Sequence, residues 1–334
     1  MMRILIIGAA GMLGRKLAAA LAKAGSLNGC PISSLIMADV VRPDTVEFSG
    51  EVELLAADIS EPGKAEALIA RRPDVIFHLA AIVSGEAEAN FEKGYHVNLD
   101  GTRSLFEAIR LSGEMRQPYR PKLVFTSSIV VYGEPLPEYV DDDYVVAPLT
   151  SYGSQKAICE ILLADYSRRG FLDGIGIRLP TISIRPGKPN RAASGFFSSI
   201  LREPLIGEPA ILPVSDDVRH WFASPRAAVG FMIHAANLET RALGARRTIT
   251  MPGLCATVGD QIDALRRAAG EDATKLIRRA YDPAIADIIA GWPRGFRAER
   301  AEQLGFKAEA NFDEIIRVHL EDELANNASI EVQA

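Results

Sequence analysis

Tyr152 and Lys156 stand four residues apart in Tyr152-Gly153-Ser154-Gln155-Lys156, which puts them one turn apart on the same face of a helix. A phenol titrates near ~10 and is a weak base at neutral pH, but an ammonium beside it favours the phenolate and brings it toward working pH. Thr126-Ser127-Ser128, at the end of an apolar run, offers hydroxyls that could orient the oxygen whose proton the phenolate takes. Together these residue types suit proton transfer at a hydroxyl-bearing carbon. Tyr-x-x-x-Lys alone is common, so its meaning depends on what else the chain carries.

The chain opens with Gly8-Ala9-Ala10-Gly11-Met12-Leu13-Gly14, between an apolar run and an amphipathic segment. Glycines are needed there for separate reasons: Gly8 for a tight turn, Gly11 for close approach of backbone N–H groups to a pyrophosphate, Gly14 for close packing of helix on strand. Met12 and Leu13 open the helix, whose N-terminus supplies unpaired donors and positive partial charge to phosphates. Asp39 closes the second apolar run and could accept both hydroxyls of an adenosine ribose while repelling a 2′-phosphate. That favours NAD over NADP, although Arg42 nearby is of the type that accommodates such a phosphate.

These residues need elements to hold them. Apolar runs read as strands over 3–8, 34–39, 52–56, 75–79, 122–126 and 174–178, and helical patterns fall over 13–24, 63–70, 88–111 and 152–169. Several of the runs are solidly apolar rather than alternating, as in strands covered on both faces. Strand–helix alternation implies a parallel sheet with right-handed crossovers. Beyond Arg178 the pattern turns mostly helical, over 192–201, 225–237, 257–269 and 312–325, with short strands over 211–213 and 247–251. The expected division is a dinucleotide-binding domain over 1–180, with segments near 225–255 returning to it, and a substrate-binding lobe over 181–334.

The G-x-x-G-x-x-G spacing, the Ser-ended fifth strand and Tyr-x-x-x-Lys together resemble the extended short-chain dehydrogenase/reductase family, whose members include NAD-dependent epimerases and dehydratases. The resemblance is strong over 1–180 and general beyond. It implies a Rossmann-type, doubly wound α/β fold with a smaller, mostly helical C-terminal substrate lobe. It implies that Asp58 and Ile59 lie by the adenine, that Leu79, Ala80 and Ala81 line the cofactor, and that Asn98 is a structural residue beside the site. It implies that Pro180 and Thr181 lie against the nicotinamide, and that Lys156 also bonds the nicotinamide ribose. The family pattern sets Ser four residues before Tyr-Gly; Tyr132-Gly133 selects Ser128 as the catalytic hydroxyl and leaves Ser127 as a wall of the site. Family members usually dimerise through the two long helices, so a homodimer is expected.

The family covers several reactions. Its dehydratases carry Asp-Glu after the catalytic hydroxyl residue; Ile129-Val130 stand here, which excludes that elimination chemistry. Arg185, Lys188 and Arg191 fall within Arg185-Pro186-Gly187-Lys188-Pro189-Asn190-Arg191, rigidified by Pro and Gly in an otherwise acidic chain. Such a loop suits a small anionic sugar acid, with Arg185 forking its carboxylate and Lys188 and Asn190 as further contacts. Arg219-His220-Trp221 and Ser224-Pro225-Arg226 read as a second basic cluster, and Ser84 as a contact to a substrate hydroxyl. The expected activity is NAD-dependent oxidation of a hydroxyl beside a carboxylate. The alternative is a nucleotide-sugar 4-epimerase with tightly bound NAD. A redox-sensing binder that lost its chemistry would be expected to lack Tyr152 or Lys156, and both are present.

Composition narrows the field further. The 334 residues exceed what one core fills, roughly 250–300 residues, and a formal net charge of −6 argues against nucleic acid as partner. The three cysteines, Cys30, Cys159 and Cys255, are odd in number and far apart, fitting reduced thiols and a cytoplasmic setting. No His/Cys set has metal-ligand spacing, so no metal is expected. No apolar run reaches the ~18–20 residues of a membrane span.

Overall fold

The computed structural model describes residues 1–113, 118–187 and 193–325. They divide into two compact units. The first comprises Met1–Val131, Val146–Leu179 and Val229–Met251; the second comprises Tyr132–Val145, Pro180–Ala228 and the chain from Pro252 onward.

The first unit is built on β1 (Met2–Ile7), α1 (Met12–Ala24), β2 (Ser26–Leu27), β3 (Cys30–Asp39), β4 (Glu51–Ala56), α2 (Lys64–Ile69), β5 (Val75–His78), α3 (Ser84–Ala89), α4 (Phe91–Gly94), α5 (Gly101–Gly113), β6 (Lys122–Ser128), α6 (Ser151–Arg168) and β7 (Asp173–Leu179). The strand at Thr248–Thr250 completes an eight-stranded sheet. Its order is Thr248–Thr250, β7, β6, β5, β1, β3, β4, all parallel, with β2 running antiparallel along β3. Ile4, Leu5, Ile6 and Ile7 are all fully or almost fully buried, the pattern of a strand with helices on both faces. On one face α2, α5 and α6 close a core of Leu5, Ile36, Phe106, Leu123, Phe125, Cys159 and Leu163. The chain reverses its direction of travel across the sheet between β1 and β5, and the loops after those two strands diverge there, which is where such sheets bind ligands.

One expected element differs. The helical pattern over 88–111 is not one helix: α3 stops at Asn90, whose φ of −135° and ψ of 87° leave the helical region. Asn90 then caps α4, and a π-helical turn at Tyr95–Asp100 leads into α5. The apolar period survives such breaks, so periodicity alone does not register them.

The second unit has a three-stranded sheet of Leu254–Thr257, Arg219–Ala223 and Thr181–Ile182, and a parallel pair, Ala210–Leu212 with Ile277–Arg279. Helices Phe196–Leu205, Val258–Lys275 and Phe312–His319 pack Phe197, Ile262 and Phe312 around Phe222 and Leu212. The sequence reading misses Arg219–Ala223 as a strand, because its Arg-His-Trp start carries no apolar period. No described helix is long and apolar enough to cross a membrane.

Candidate active site

The glycine turn is fixed by backbone geometry. Gly8 has a φ of +93°, and a Cβ there would lie 2.6 Å from the amide nitrogen of Ala80, on the loop after β5. Leu79 and Ala80 donate their N–H groups to the Ile7 carbonyl, and Gly8 and Ala9 donate to that of Ala38. Three strand ends are thereby tied at the switch point. Gly14, in the first turn of α1, has room for no side chain: its Cβ would collide with the Gly8 carbonyl and lie 2.7 Å from the Ala9 Cα. Gly11 is the N-cap of α1 and offers no side-chain cap, so the amides at Met12 and Leu13 open the helix over a bare glycine surface. An uncapped N-terminus over a turn with no room for a Cβ at Gly8 or Gly14 fits a pyrophosphate.

Asp39 ends β3 beside this turn. Its Oδ2 accepts from the Ala10 amide (2.9 Å) and its Oδ1 from the Val40 amide (2.7 Å). A carboxylate has about four lone-pair positions, so capacity remains for ribose hydroxyls. Asp58 is committed locally, its Oδ1 accepting from the Ser60 amide and hydroxyl, and the Ile59 side chain is buried in the core. The residue types fit a dinucleotide along the carboxyl ends of β1, β3 and β4.

Ser128 ends β6 and is partly exposed, as is Tyr152 in the first turn of α6. Thr150 caps that helix, accepting from the Gly153 amide (3.1 Å). Gly153 is required there: a Cβ would collide with the Val130 carbonyl and lie 2.9 Å from Pro148. The start of α6 therefore presses on the 3-10 turn Ile129–Val131, directly after Ser128. Lys156 is 3% exposed, and its Nζ donates to the Thr126 carbonyl (2.9 Å) from 5.7 Å over the Tyr152 ring. Burial pushes this ammonium down to about 8, with Cys159 and Glu160 opposing the shift. His78 sits in the interior, paired with the Thr102 hydroxyl, and burial followed by the charge of Lys156 pushes it down to about 3. It is a neutral core histidine.

Asn98 lies in the π-helical turn, 2% exposed. Its Oδ1 accepts from the Ile82 amide, and its Nδ2 donates to the Ile82 carbonyl and to Gln155 Oε1 (2.7 Å). One side chain thus ties the loop after β5, which carries Ala81 and leads to the partly exposed Ser84, to the helix bearing Tyr152 and Lys156. Gln155 gives no signal in the sequence beyond its place inside the Tyr-Lys motif. Ser127 is not on the rim of the site: it is 3% exposed and its hydroxyl donates to Glu160 (2.5 Å). Side chains alternate along a strand, so Ser127 points inward where its neighbour Ser128 does not.

In the second unit Pro180 is buried, and the Thr181 hydroxyl pairs with His220 Nε2 (2.7 Å), whose Nδ1 faces the Pro293 carbonyl. Burial pushes His220 down to about 4, so it is neutral and accepts from Thr181. Arg185 Nε donates to the Ile182 carbonyl and its Nη2 to Ser194. Lys188 and Asn190 lie outside the described residues. The expected second basic cluster does not form: Arg226 is paired with Glu321 and Asp322, Arg219 with Glu138, and His220 is neutral. The partners of Arg226 lie far along the chain, where a local reading of charge does not look.

A model described as the NAD dependent epimerase/dehydratase family matches residues 4–231. The chain is 46% identical to D-erythronate dehydrogenase of Cupriavidus necator, over 96% of this chain and 98% of that protein. It is 41% identical to D-erythronate dehydrogenase of Haemophilus influenzae, over 96% of this chain and 99% of that one. A crystal structure described as the nucleoside-diphosphate-sugar epimerase from Agrobacterium tumefaciens superposes with a TM-score of 0.95 at 61% identity, covering 97% of this chain and 95% of that chain.

Proposed function

The chain belongs to the NAD-dependent epimerase/dehydratase family, and from that premise we propose that it oxidises the C2 hydroxyl of a short sugar acid, D-erythronate, to the 2-keto acid. The observation that carries this reading is the near full-length similarity to two D-erythronate dehydrogenases. NAD, when bound, supplies the acceptor for the C2 hydride. Gly8, Gly11, Met12, Leu13 and Gly14 would hold its pyrophosphate, Asp39 its adenosine ribose, and Asp58, Ile59, Leu79, Ala80, Ala81 and Asn98 would shape or support its groove. Pro180 and Thr181 would lie at its nicotinamide end.

The Tyr152 phenolate takes the C2 hydroxyl proton, so that the developing carbonyl carries no excess charge when the C–H bond breaks. Lys156, held on the Thr126 carbonyl, stabilises that phenolate as an ammonium. The Ser128 hydroxyl donates to the substrate oxygen and fixes which hydroxyl faces Tyr152. Arg185 is the proposed partner of the carboxylate, Lys188 and Asn190 are proposed as further polar contacts, and Ser84 as a contact to a hydroxyl. Arg185→Ala is expected to raise KM for the acid by roughly 10- to 100-fold, the worth of a charge-assisted hydrogen bond. Equal effects on the KM of NAD and of the acid would mean that the carboxylate binds elsewhere.

The protein is further proposed to act as a cytoplasmic homodimer. Supporting the dimer are Leu111 on α5 and Ile158 and Ile161 on α6, which are large apolar side chains left exposed, Ile161 at 70%.

The name of the Agrobacterium structure favours a second reading, epimerisation of a nucleotide sugar. Following NADH absorbance with NAD+ or NADP+ against a panel of aldonic acids separates the two. Reduction of NAD+ with D-erythronate supports the dehydrogenase. No reduction with any acid, together with turnover of a nucleotide sugar without added NAD, would replace it with the epimerase.

A further inference from the structure

Glu160 lies one turn beyond Lys156 on α6, is 6% exposed, and takes no part in the proton transfer above. Its carboxylate accepts from two side chains. Arg178 on β7 forks it, with Nε at 2.9 Å from Oε1 and Nη2 at 2.6 Å from Oε2. The Ser127 hydroxyl donates to Oε1 at 2.5 Å. Helix α6 is thus fastened to the end of β6 at two successive turns, by Lys156 on the Thr126 carbonyl and by Glu160 on the Ser127 hydroxyl. Ser128 is the next residue of the strand, and Tyr152 lies one turn before Lys156 on the helix.

The charge on Glu160 has a second consequence. The groups facing Lys156 are Tyr152, Cys159 and Glu160 from its own helix, His78 from β5, and the Thr126 carbonyl and Phe125 ring from β6, with Arg178 of β7 behind Glu160. Burial pushes the Cys159 thiol up to about 11, and His78 is pushed down to about 3, so both are neutral at working pH. With Cys159 neutral, Glu160 brings the negative charge that opposes, without overcoming, the desolvation of Lys156.

We propose that Glu160, with Arg178 behind it, is a positioning residue of the catalytic centre: it latches α6 to β6 so that Tyr152 and Ser128 keep their register, and it holds Lys156 in its charged form. A carboxylate shared with a guanidinium gives part of its field away, so the Glu160–Arg178 pair sets the Lys156 ammonium between two limits. This rests on the Tyr152–Lys156 reading of the site.

The test reads Lys156 directly, by carbon NMR titration of labelled lysine ε-methylenes, with its signal assigned by its loss in Lys156→Met. Glu160→Gln leaves Arg178 as an unshared cation and is expected to move the Lys156 midpoint down from about 8 by about one pH unit or more. Arg178→Gln leaves Glu160 unshared and is expected to move it up by a similar margin. Structural loosening would admit water and raise both midpoints alike, toward the ordinary lysine value. A Glu160→Gln midpoint equal to the wild type, or shifts of the same sign in both variants, overturns the proposal. If Glu160→Gln does not fold, Arg178→Gln and Arg178→Lys decide: the midpoint should rise in the first and stay near the wild type in the second, which keeps the cation, and a rise in both or in neither overturns the proposal. No substrate enters this titration. Failure of the underlying reading would show separately, as turnover surviving Tyr152→Phe.

Discussion

Tyr152→Phe is expected to lower kcat for the acid by roughly 10²–10⁴-fold, the usual worth of a positioned acid–base group, while the affinity for NADH stays as in the wild type. The substitution removes one oxygen from a partly exposed side chain at the start of a capped helix. The cap at Thr150 and the bond from Lys156 to the Thr126 carbonyl do not involve that oxygen, so both persist in the variant. Steady-state kinetics beside NADH fluorescence titration separates the two effects. Turnover near the wild-type rate would remove Tyr152 from the chemistry; a parallel loss of NADH binding would make it a cofactor residue instead.

The second large effect is expected at the glycine turn. In Gly14→Ala the new Cβ meets backbone atoms, the Gly8 carbonyl and the Ala9 Cα, and neither can swing aside as a side chain could. Overpacking of this kind costs about 1–3 kcal/mol, and relief comes only by pushing α1 off the turn that cradles the pyrophosphate. Both Tm and NADH affinity should therefore fall, the affinity by roughly tenfold for each ~1.4 kcal/mol of binding energy lost. Gly11→Ala is the control. Its backbone is ordinary, with a φ of −68°, and its Cβ would lie 3.3 Å from the Gly8 carbonyl, so the fold can take it. It should cost NADH affinity by blocking close approach of the phosphate, with little change in Tm. A Gly14→Ala protein that binds NADH normally would refute the account of the turn.

Much of the first unit was legible because its signals are local. β1, β5 and β6 read as strands since they are solid apolar runs that helices cover on both sides. Gly8 was legible because a strand-to-helix turn with a positive φ leaves few other residues. Tyr152 and Lys156 were legible from helical spacing read together with the glycine turn and the Ser-ended strand. The break at Asn90 and the π-helical turn holding Asn98 were not, because they alter the phase of a helix without altering its composition.

The sequence by itself determined which residue types stand at the strand ends of a dinucleotide fold, and which pair could pass a proton. That much follows from spacing along a strand or a helix. Only the tertiary structure decided how the charges are spent. Ser127 and Ser128 are adjacent and alike in sequence, yet one is buried against Glu160 and the other is left partly exposed. Arg226 reads as part of a basic cluster until Glu321 and Asp322 meet it, and Glu160, which carries no signal in the sequence, is given its partner only when Arg178 arrives from β7. The cost of burying a charge is settled by the partner the fold delivers, and that partner can come from anywhere along the chain.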